Sequence, residues 1–286
     1  MLTQTIIDTA VRHALNEDAP WGDLTSSLLI PEHATATAAL VAREPGTLAG
    51  GEVFRAAMLL TDTSIKVMLT VADGTRFERG ATLATVSGPA RSILQAERVA
   101  LNFVQRMSGI ATLTASFVSE VSDTRARIVD TRKTTPGLRA FERHAVRCGG
   151  GHNHRFSLSD AVMAKDNHLA VLAASSGLSI TDALRRVRNE LSHTTHLEVE
   201  VDRLDQIEPV LAAGVDTIML DNFTLHQLRE GVALVKGRAM VEASGNVNLD
   251  TVRAIAETGV DVISSGALTH SVRSLDLGLD VLIEGS

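Results

Sequence analysis

Between Ile128 and His168 the chain gathers positive charge where a ligand can meet it. A short apolar run, Ile128-Val129, reads as a strand that ends in Asp130, Thr131, Arg132 and Lys133. A second run, Ala161 to Ala164, ends in Lys165 in the same way. Between them stand three glycines, Gly149 to Gly151, and then His152-Asn153-His154-Arg155. Several cations aimed at one place supply charge-assisted donors for carboxylate or phosphate. A His-x-His pair with His168 as a third ligand is also a zinc pattern. Arg155 and Lys165 beside it would repel a dication and attract an anion, so His154 is read as a hydrogen-bond donor to a carboxylate or phosphate.

That cluster is a local exception in a chain of 286 residues with a net charge of -7. Aromatic residues make up only 3%, with no Tyr and one Trp, which leaves no platform for stacking nucleic-acid bases. A small polyanion is the expected partner, not nucleic acid. The one cysteine, Cys148, has no intramolecular disulfide partner and reads as a small packed residue. Residues 2–17 place apolar Ile6, Ala10 and Leu15 among charged positions, an amphipathic helix rather than the unbroken apolar core of a signal peptide. No apolar run approaches the roughly 20 residues of a membrane helix. No membrane is expected as a partner, and the protein is expected in the cytoplasm.

The elements that must position the cations follow from periodicity. A polar segment, residues 17–26, offers carboxylates to cap helix ends. Strands over 36–43, 64–71 and 81–87 and a helix over 53–60 suggest a small α+β domain. Arg91 to Met107 is a helical pattern whose charged exceptions, Arg98 and Arg106, read as a solvated face. Ser108-Gly109 then breaks or bends it, and Thr112 to Val121 forms a second helix. Thr135-Pro136 has the form of a helix start, with the helix running to about Arg147.

From Lys165 onward strand and helix alternate. The strand ends recur at Glu200, Asp221, Ser244 and Gly266, spacings of 21, 23 and 22 residues, about one βα unit each. Parallel strands linked this way wind toward a barrel whose C-terminal strand ends line the active site. Its mouth then carries Arg132 and Lys133, Lys165, Glu200, Asp221, Ser244-Gly245-Asn246 and Ser265-Gly266-Ala267. One half is cationic. The other pairs two carboxylates with glycine turns that offer backbone N–H groups to phosphate. A polyanionic substrate accompanied by a divalent metal fits that division. Glu200 and Asp221 can act as acid and base, or hold hydroxyls and hydrated Mg²⁺. A phosphate-binding isomerase or lyase shares the late turns without needing four cations, and a non-catalytic metabolite binder has no use for the paired carboxylates.

The segments DTRKTTPGLR, GGGHNHR, KDNH, EVEV, MLDNF, ASGN and SSGALTHS, together with EDAPWGDLTS and AERVALNFVQRMSG, resemble the quinolinate phosphoribosyltransferase family over nearly the whole chain. The resemblance implies an open α/β barrel with a smaller α/β sandwich domain, the latter built from residues 1–111 and 270–286 and the barrel from 112–269. It implies phosphoribosyl transfer from phosphoribosyl pyrophosphate to quinolinate with decarboxylation, and Mg²⁺ as the cofactor. A homodimer is also implied, with Arg98 reaching in from the partner subunit, which replaces the solvated reading of that residue. Arg132, Arg155, Lys165 and His154 would hold the quinolinate carboxylates. Thr131 would join the substrate-binding set, and Lys133, Glu200 and Asp221 would serve the pyrophosphate substrate and its metal. Ser244 to Asn246 and Ser265 to Ala267 would take the 5′-phosphate. Strand alternation would turn Asp166 away from Lys165.

Overall fold

The computed structural model describes residues 2–165, 167–171 and 177–284. Two compact units emerge: residues 1–115, 135–150 and 271–286 form one, and residues 116–134 and 151–270 the other. Against the expected boundaries, residues 112–115 and 135–150, the latter with the helix Arg139–Cys148, fall in the first unit, and residue 270 in the second.

The first unit is built on a four-stranded antiparallel sheet, from β1 (Thr35–Ala42), β3 (Lys66–Leu69), β5 (Thr82–Pro89) and β12 (Leu277–Glu284), in the order β12-β1-β5-β3. The end of the chain thus returns to pair with β1. A two-stranded ribbon joins β2 (Gly46–Thr47) to β4 (Arg76–Phe77). Along β1 every second residue is buried, so Ala36, Ala38, Leu40 and Ala42 face the core. Helices α1 (Gln4–Asp18), α2 (Leu24–Leu29) and α3 (Gly51–Thr61) add to this unit, and Asp23 caps α2 by accepting from the Thr25 and Ser26 amides. In α3, Phe54 and Met58 are fully buried, each worth about 1.5–3 kcal/mol relative to exposure. On α1 the buried residues are Ile7 and Val11, while Ile6 is exposed, so the packed stripe is turned by one residue from the expected one.

The long helix α4 (Ala90–Glu120) runs unbroken through Ser108-Gly109. Both residues serve packing. The Ser108 hydroxyl is buried and accepts from the Ala49 amide at 3.1 Å. A Cβ on Gly109 would collide with the Arg273 carbonyl and lie 3.3 Å from the Leu275 amide, so this glycine admits the returning C-terminal segment. Gln105 and Arg106 on the same helix bond the Leu277 and Val272 carbonyls.

The expected helix start at Thr135-Pro136 is instead a turn. Gly137 has φ +81°, and the Leu138 amide donates to the Thr135 carbonyl, as in a turn with Pro second and Gly third. Helix α5 (Arg139–Cys148) begins after it, and the Glu142 carboxylate receives the Thr135 amide and hydroxyl and Arg106.

The second unit is a six-stranded, all-parallel sheet in the order β6-β11-β10-β9-β8-β7, from β6 (Arg127–Val129), β7 (Val162–Ala164), β8 (Leu197–Val201), β9 (Thr217–Asp221), β10 (Met240–Ser244) and β11 (Val262–Ser264). Its intervening helices include α6 (Ile180–Glu190), α7 (Ile207–Leu211), α8 (Leu225–Val235) and α9 (Val252–Ala256), with the short α10 (Ala267–His270) after β11. The sheet is an open barrel: β6 and β7 are its two edge strands, with a bridge from Val129 to His152 beyond β6. Val199, Val201, Ile218, Leu220, Val241 and Ile263 are buried, as expected for parallel strands covered on both faces.

Candidate active site

All six strand ends of the second unit open on one cavity of about 680 Å³. Thr131, Arg132, Lys133, His154, Arg155, Lys165, Glu200, Asp221, Ser244 to Asn246 and Ser265 to Ala267 line it. One surface therefore gathers every barrel residue expected to bind substrate, phosphate or metal, but neither His152 nor His168 of the zinc pattern. Arg98 belongs to the first unit, exposed on α4. Asp166 lies outside the described residues.

The cationic side is assembled by loop hydrogen bonds. Thr131 Oγ1 accepts the Lys133 amide at 3.1 Å, folding the turn after β6. Among the described residues neither Arg132 nor Lys133 has an ion-pair partner, and both are exposed to the cavity. Gly266 allows Lys133 to cross the turn after β11, because a Cβ there would lie 2.8 Å from Lys133 Cδ and 2.9 Å from His270 Cδ2. The Thr269 hydroxyl fixes the Lys133 carbonyl at 2.6 Å. Arg155 Nη1 donates to the Ala161 carbonyl at 3.0 Å, while burial and the charge of Arg132 lower its pKa. Lys165 is ion-paired with Glu200, so the two sides touch through this pair.

Beneath the cations lies a layer that sequence reasoning missed. Glu198 and Glu242 are each 3% exposed, and both face His154 Nε2, at 3.1 and 3.4 Å. One oxygen of each carboxylate has no hydrogen-bond partner. Strand alternation carries the signal that would have found them: Glu198 stands two residues before Glu200, and Glu242 two before Ser244, on the same inward faces. His154 Nδ1 accepts the Arg155 amide at 2.8 Å, and the buried Asp130 carboxylate receives the His154 amide and the Asn153 side chain.

The proton inventory of this layer follows from geometry. Two carboxylates alone would raise the imidazole to about 10, against the cost of its own burial. The amide pointing at Nδ1 instead favours a neutral ring with its proton on Nε2. Burial, and then the neighbouring Glu242, raise the Glu198 pKa against the lowering by the His154 hydrogen bond. The amide bond to Nδ1 argues against a metal among these three residues, since a ligating Nε2 leaves Nδ1 to donate rather than accept. Nε2 thus faces the two buried carboxylates and Nδ1 accepts from Arg155, while His154 also lines the cavity. It braces Arg155.

On the acidic side, Glu200 and Asp221 are half-buried at the ends of β8 and β9. The turn after β10 has left-handed backbone at Gly245 (φ +98°) and Asn246 (φ +51°). No helix begins there: α9 starts only at Val252, so this turn offers loop amides without a helix dipole. The turn after β11 leads directly into the four-residue α10, and Ser265 Oγ donates to the Val247 carbonyl at 3.1 Å, tying the two turns together. His270 and Asn222 also line the cavity, neither predicted.

A second cluster of ligand-type residues lies in the first unit. Asp73 receives the Gly50 and Gly51 amides and His144 Nε2, and Cys148 Sγ lies 3.4 Å from the same nitrogen. Burial and the Asp73 charge push the Cys148 thiol up to about 12, so it is protonated and unreactive. Cys148 is packed, as expected.

Comparison with known proteins places both units. The family model described as quinolinate phosphoribosyl transferase, N-terminal domain, matches residues 23–108, and the one described as its C-terminal domain matches residues 110–280. Nicotinate-nucleotide pyrophosphorylase (carboxylating) of Mycobacterium leprae is 44% identical over 293 residues, 98% of this chain and 100% of the relative. The probable nicotinate-nucleotide pyrophosphorylase (carboxylating) of Bacillus subtilis is 41% identical over 273 residues, 96% of this chain and 92% of the relative. The crystal structure of NadC from Streptococcus pyogenes matches with a TM-score of 0.94 at 41% identity, covering 100% of this chain and 99% of that one.

Proposed function

The chain belongs to the quinolinate phosphoribosyltransferase family, and from that premise we propose the reaction for which its cavity is suited. It transfers the phosphoribosyl group of phosphoribosyl pyrophosphate to quinolinate with decarboxylation. The products are nicotinate mononucleotide, pyrophosphate and CO2, in de novo NAD biosynthesis. The observation that carries this reading is the convergence on one cavity of Arg132, Lys133, Arg155 and Lys165 with two carboxylates and two glycine turns.

Arg132, Arg155 and Lys165 hold the two carboxylates of quinolinate and so orient the pyridine nitrogen. Ser244 to Asn246 and Ser265 to Ala267 take the 5′-phosphate through backbone N–H groups. The pyridine nitrogen attacks the ribose C1 as the bond to pyrophosphate breaks. Glu200 and Asp221 stabilise the positive character of that carbon, while Lys133 neutralises the departing pyrophosphate. The ring nitrogen is now quaternary. The bond from C2 to its carboxylate then breaks, CO2 leaves, the electron pair stays on C2 beside the cationic nitrogen, and a proton from water completes the product.

Glu200 and Asp221 are the hard oxygen donors that Mg²⁺ prefers, and among the described residues no third His, Cys, Asp or Glu ligand joins them. Two carboxylates suit an ion that keeps several waters and takes other ligands from substrate. When bound there, Mg²⁺ would neutralise charge on the leaving group.

The full site is proposed to form in a homodimer, with Arg98 supplied in trans, and the protein to work in the cytoplasm. Among the described residues no helix is long and apolar enough to cross a membrane. Mixing inactive Arg98→Ala chains with inactive Lys165→Ala chains should restore activity on subunit exchange; mixed dimers that form and stay inactive rule out the trans assignment. For the reaction itself, quinolinate, phosphoribosyl pyrophosphate and Mg²⁺ should together release pyrophosphate and the mononucleotide, with no release when quinolinate is omitted. Substrate binding without pyrophosphate release would favour an isomerase or lyase.

A further inference from the structure

Asp221 and Ser244 are register partners on neighbouring strands, so the residues after them, Asn222 and Gly245, meet across the mouth. Asn222 adopts left-handed backbone (φ +57°), which Asn tolerates better than most residues. Its amide donates to the Ser244 carbonyl at 2.9 Å. The carboxamide is engaged at both ends: Nδ2 donates to Asp221 Oδ2 at 2.6 Å, and Oδ1 accepts Asn246 Nδ2 at 3.4 Å. A Cβ on Gly245 would lie 2.7 Å from Asn222 Cγ and 2.9 Å from its amide nitrogen, so the glycine is required for the asparagine to lie across the turn. Three left-handed conformations, at Asn222, Gly245 and Asn246, are thus held together by one side chain.

We infer that Asn222 is a positioning residue that locks the Asp221 carboxylate to the phosphate turn, so that the carboxylate facing the ribose and the amides facing the 5′-phosphate are set at one fixed separation. This rests on the assignment of phosphoribosyl pyrophosphate to that side of the cavity. Asp221 has one oxygen committed to Asn222, which leaves the other for substrate or hydrated metal. The carboxamide suits this bridge because it donates at one end and accepts at the other. A carboxylate in its place would set negative charge against Asp221.

Two variants separate positioning from backbone strain. Asn222→Gly keeps the left-handed conformation and removes the bridge; Asn222→Asp keeps the shape and the tolerance of that conformation but replaces the donor with charge. Binding of phosphoribosyl pyrophosphate with Mg²⁺ is measured by calorimetry on the full chain, alongside binding of quinolinate and the thermal midpoint. Both variants should bind phosphoribosyl pyrophosphate at least about tenfold more weakly, the loss of one charge-assisted bond. Asn222→Asp should be the worse of the two, and quinolinate binding should match the wild type. If Asn222→Gly binds phosphoribosyl pyrophosphate as the wild type does, the side chain only served the backbone and the inference is wrong. Equal losses for both substrates with a lowered thermal midpoint would also overturn it. If the wild-type protein itself does not bind phosphoribosyl pyrophosphate, the functional reading fails first and the inference with it, an outcome distinct from failure of the variants alone.

Discussion

The two sides of the cavity are built on different principles. The cationic side draws its charge from the turns after edge strands β6 and β7 and from Arg155 in the segment leading into β7, and two of its cations, Arg132 and Lys133, have no ion-pair partner among the described residues. The acidic side sits on central strands β8, β9 and β10, with its groups tied to neighbours: Glu200 to Lys165, Asp221 to Asn222, Asn246 to Asn222. Unpaired positive charge is a binding device that waits for an anion. Cross-braced carboxylates and turns are suited to hold a fixed geometry, as transition-state stabilisation requires. One side should therefore govern affinity for the acid substrate, and the other the rate of transfer.

The division is broken most severely on the acidic side. Asp221→Ala should lower kcat by about 10²–10³, the loss of one preorganised electrostatic group, and leave quinolinate affinity within about twofold. Steady-state kinetics and a binding titration on the same preparation check this; a matching fall in quinolinate affinity would show that the sides do not divide the work.

The cationic side is probed next by removing charge from the substrate. Nicotinate lacks the C2 carboxylate and would leave at least one cation unpaired. A site built to pair a polar group can reject such an analogue by about 10⁴–10⁵, softened toward 10² where water refills the gap. Quinolinate should exceed nicotinate in kcat/KM by at least about 10², with comparable values counting against dianion recognition.

A smaller effect tests the contact between the sides. Lys165→Ala should weaken quinolinate binding about 10- to 150-fold through loss of a charge-assisted bond. Because Lys165 also pairs with Glu200, its effect should be non-additive with Glu200→Gln in a double-mutant cycle. Additive losses would mean that the ion pair does not matter to the working enzyme.

Much of this was legible before any coordinates. Alternating strand and helix periodicity located the six parallel strands, and their regular spacing placed the residues of the mouth at strand ends. The failures share a cause, which is long-range packing that leaves no local mark. Ser108-Gly109 has the chemistry of a helix break, yet the glycine admits the Arg273 carbonyl and the serine bonds Ala49, both far away in sequence. Thr135-Pro136 has the form of a helix start, but Gly137 one residue later turns the chain and Glu142 takes the threonine amide. Glu198 and Glu242 were missed because a buried carboxylate pair runs against the usual cost of burying charge; here both carboxylates face His154 Nε2.

The smallest expected effect lies away from the cavity and serves as its control. Glu44 is held to about 2, far below an ordinary carboxylate, by Arg273 and by the Asp276 amide. Its folded pKa is depressed, so the contribution is present above about 4.5 and disappears as pH falls from there toward about 2. Arg273 is largely exposed, which limits the stabilisation to roughly 1 kcal/mol or less. Glu44→Gln should lower the thermal midpoint slightly at pH 7, converge with the wild type in strong acid, and leave kcat and KM unchanged. An altered quinolinate KM would place Glu44 in the site.

The central claim is tested most directly by following the carbon that must leave. Quinolinate labelled with ¹³C in its C2 carboxylate, incubated with the protein, phosphoribosyl pyrophosphate and Mg²⁺, should lose its label entirely to CO2. Labelled CO2, pyrophosphate and unlabelled nicotinate mononucleotide should appear in equal amounts. Pyrophosphate released while the label stays on the ring, or no pyrophosphate from a folded protein that binds both substrates, would contradict the account.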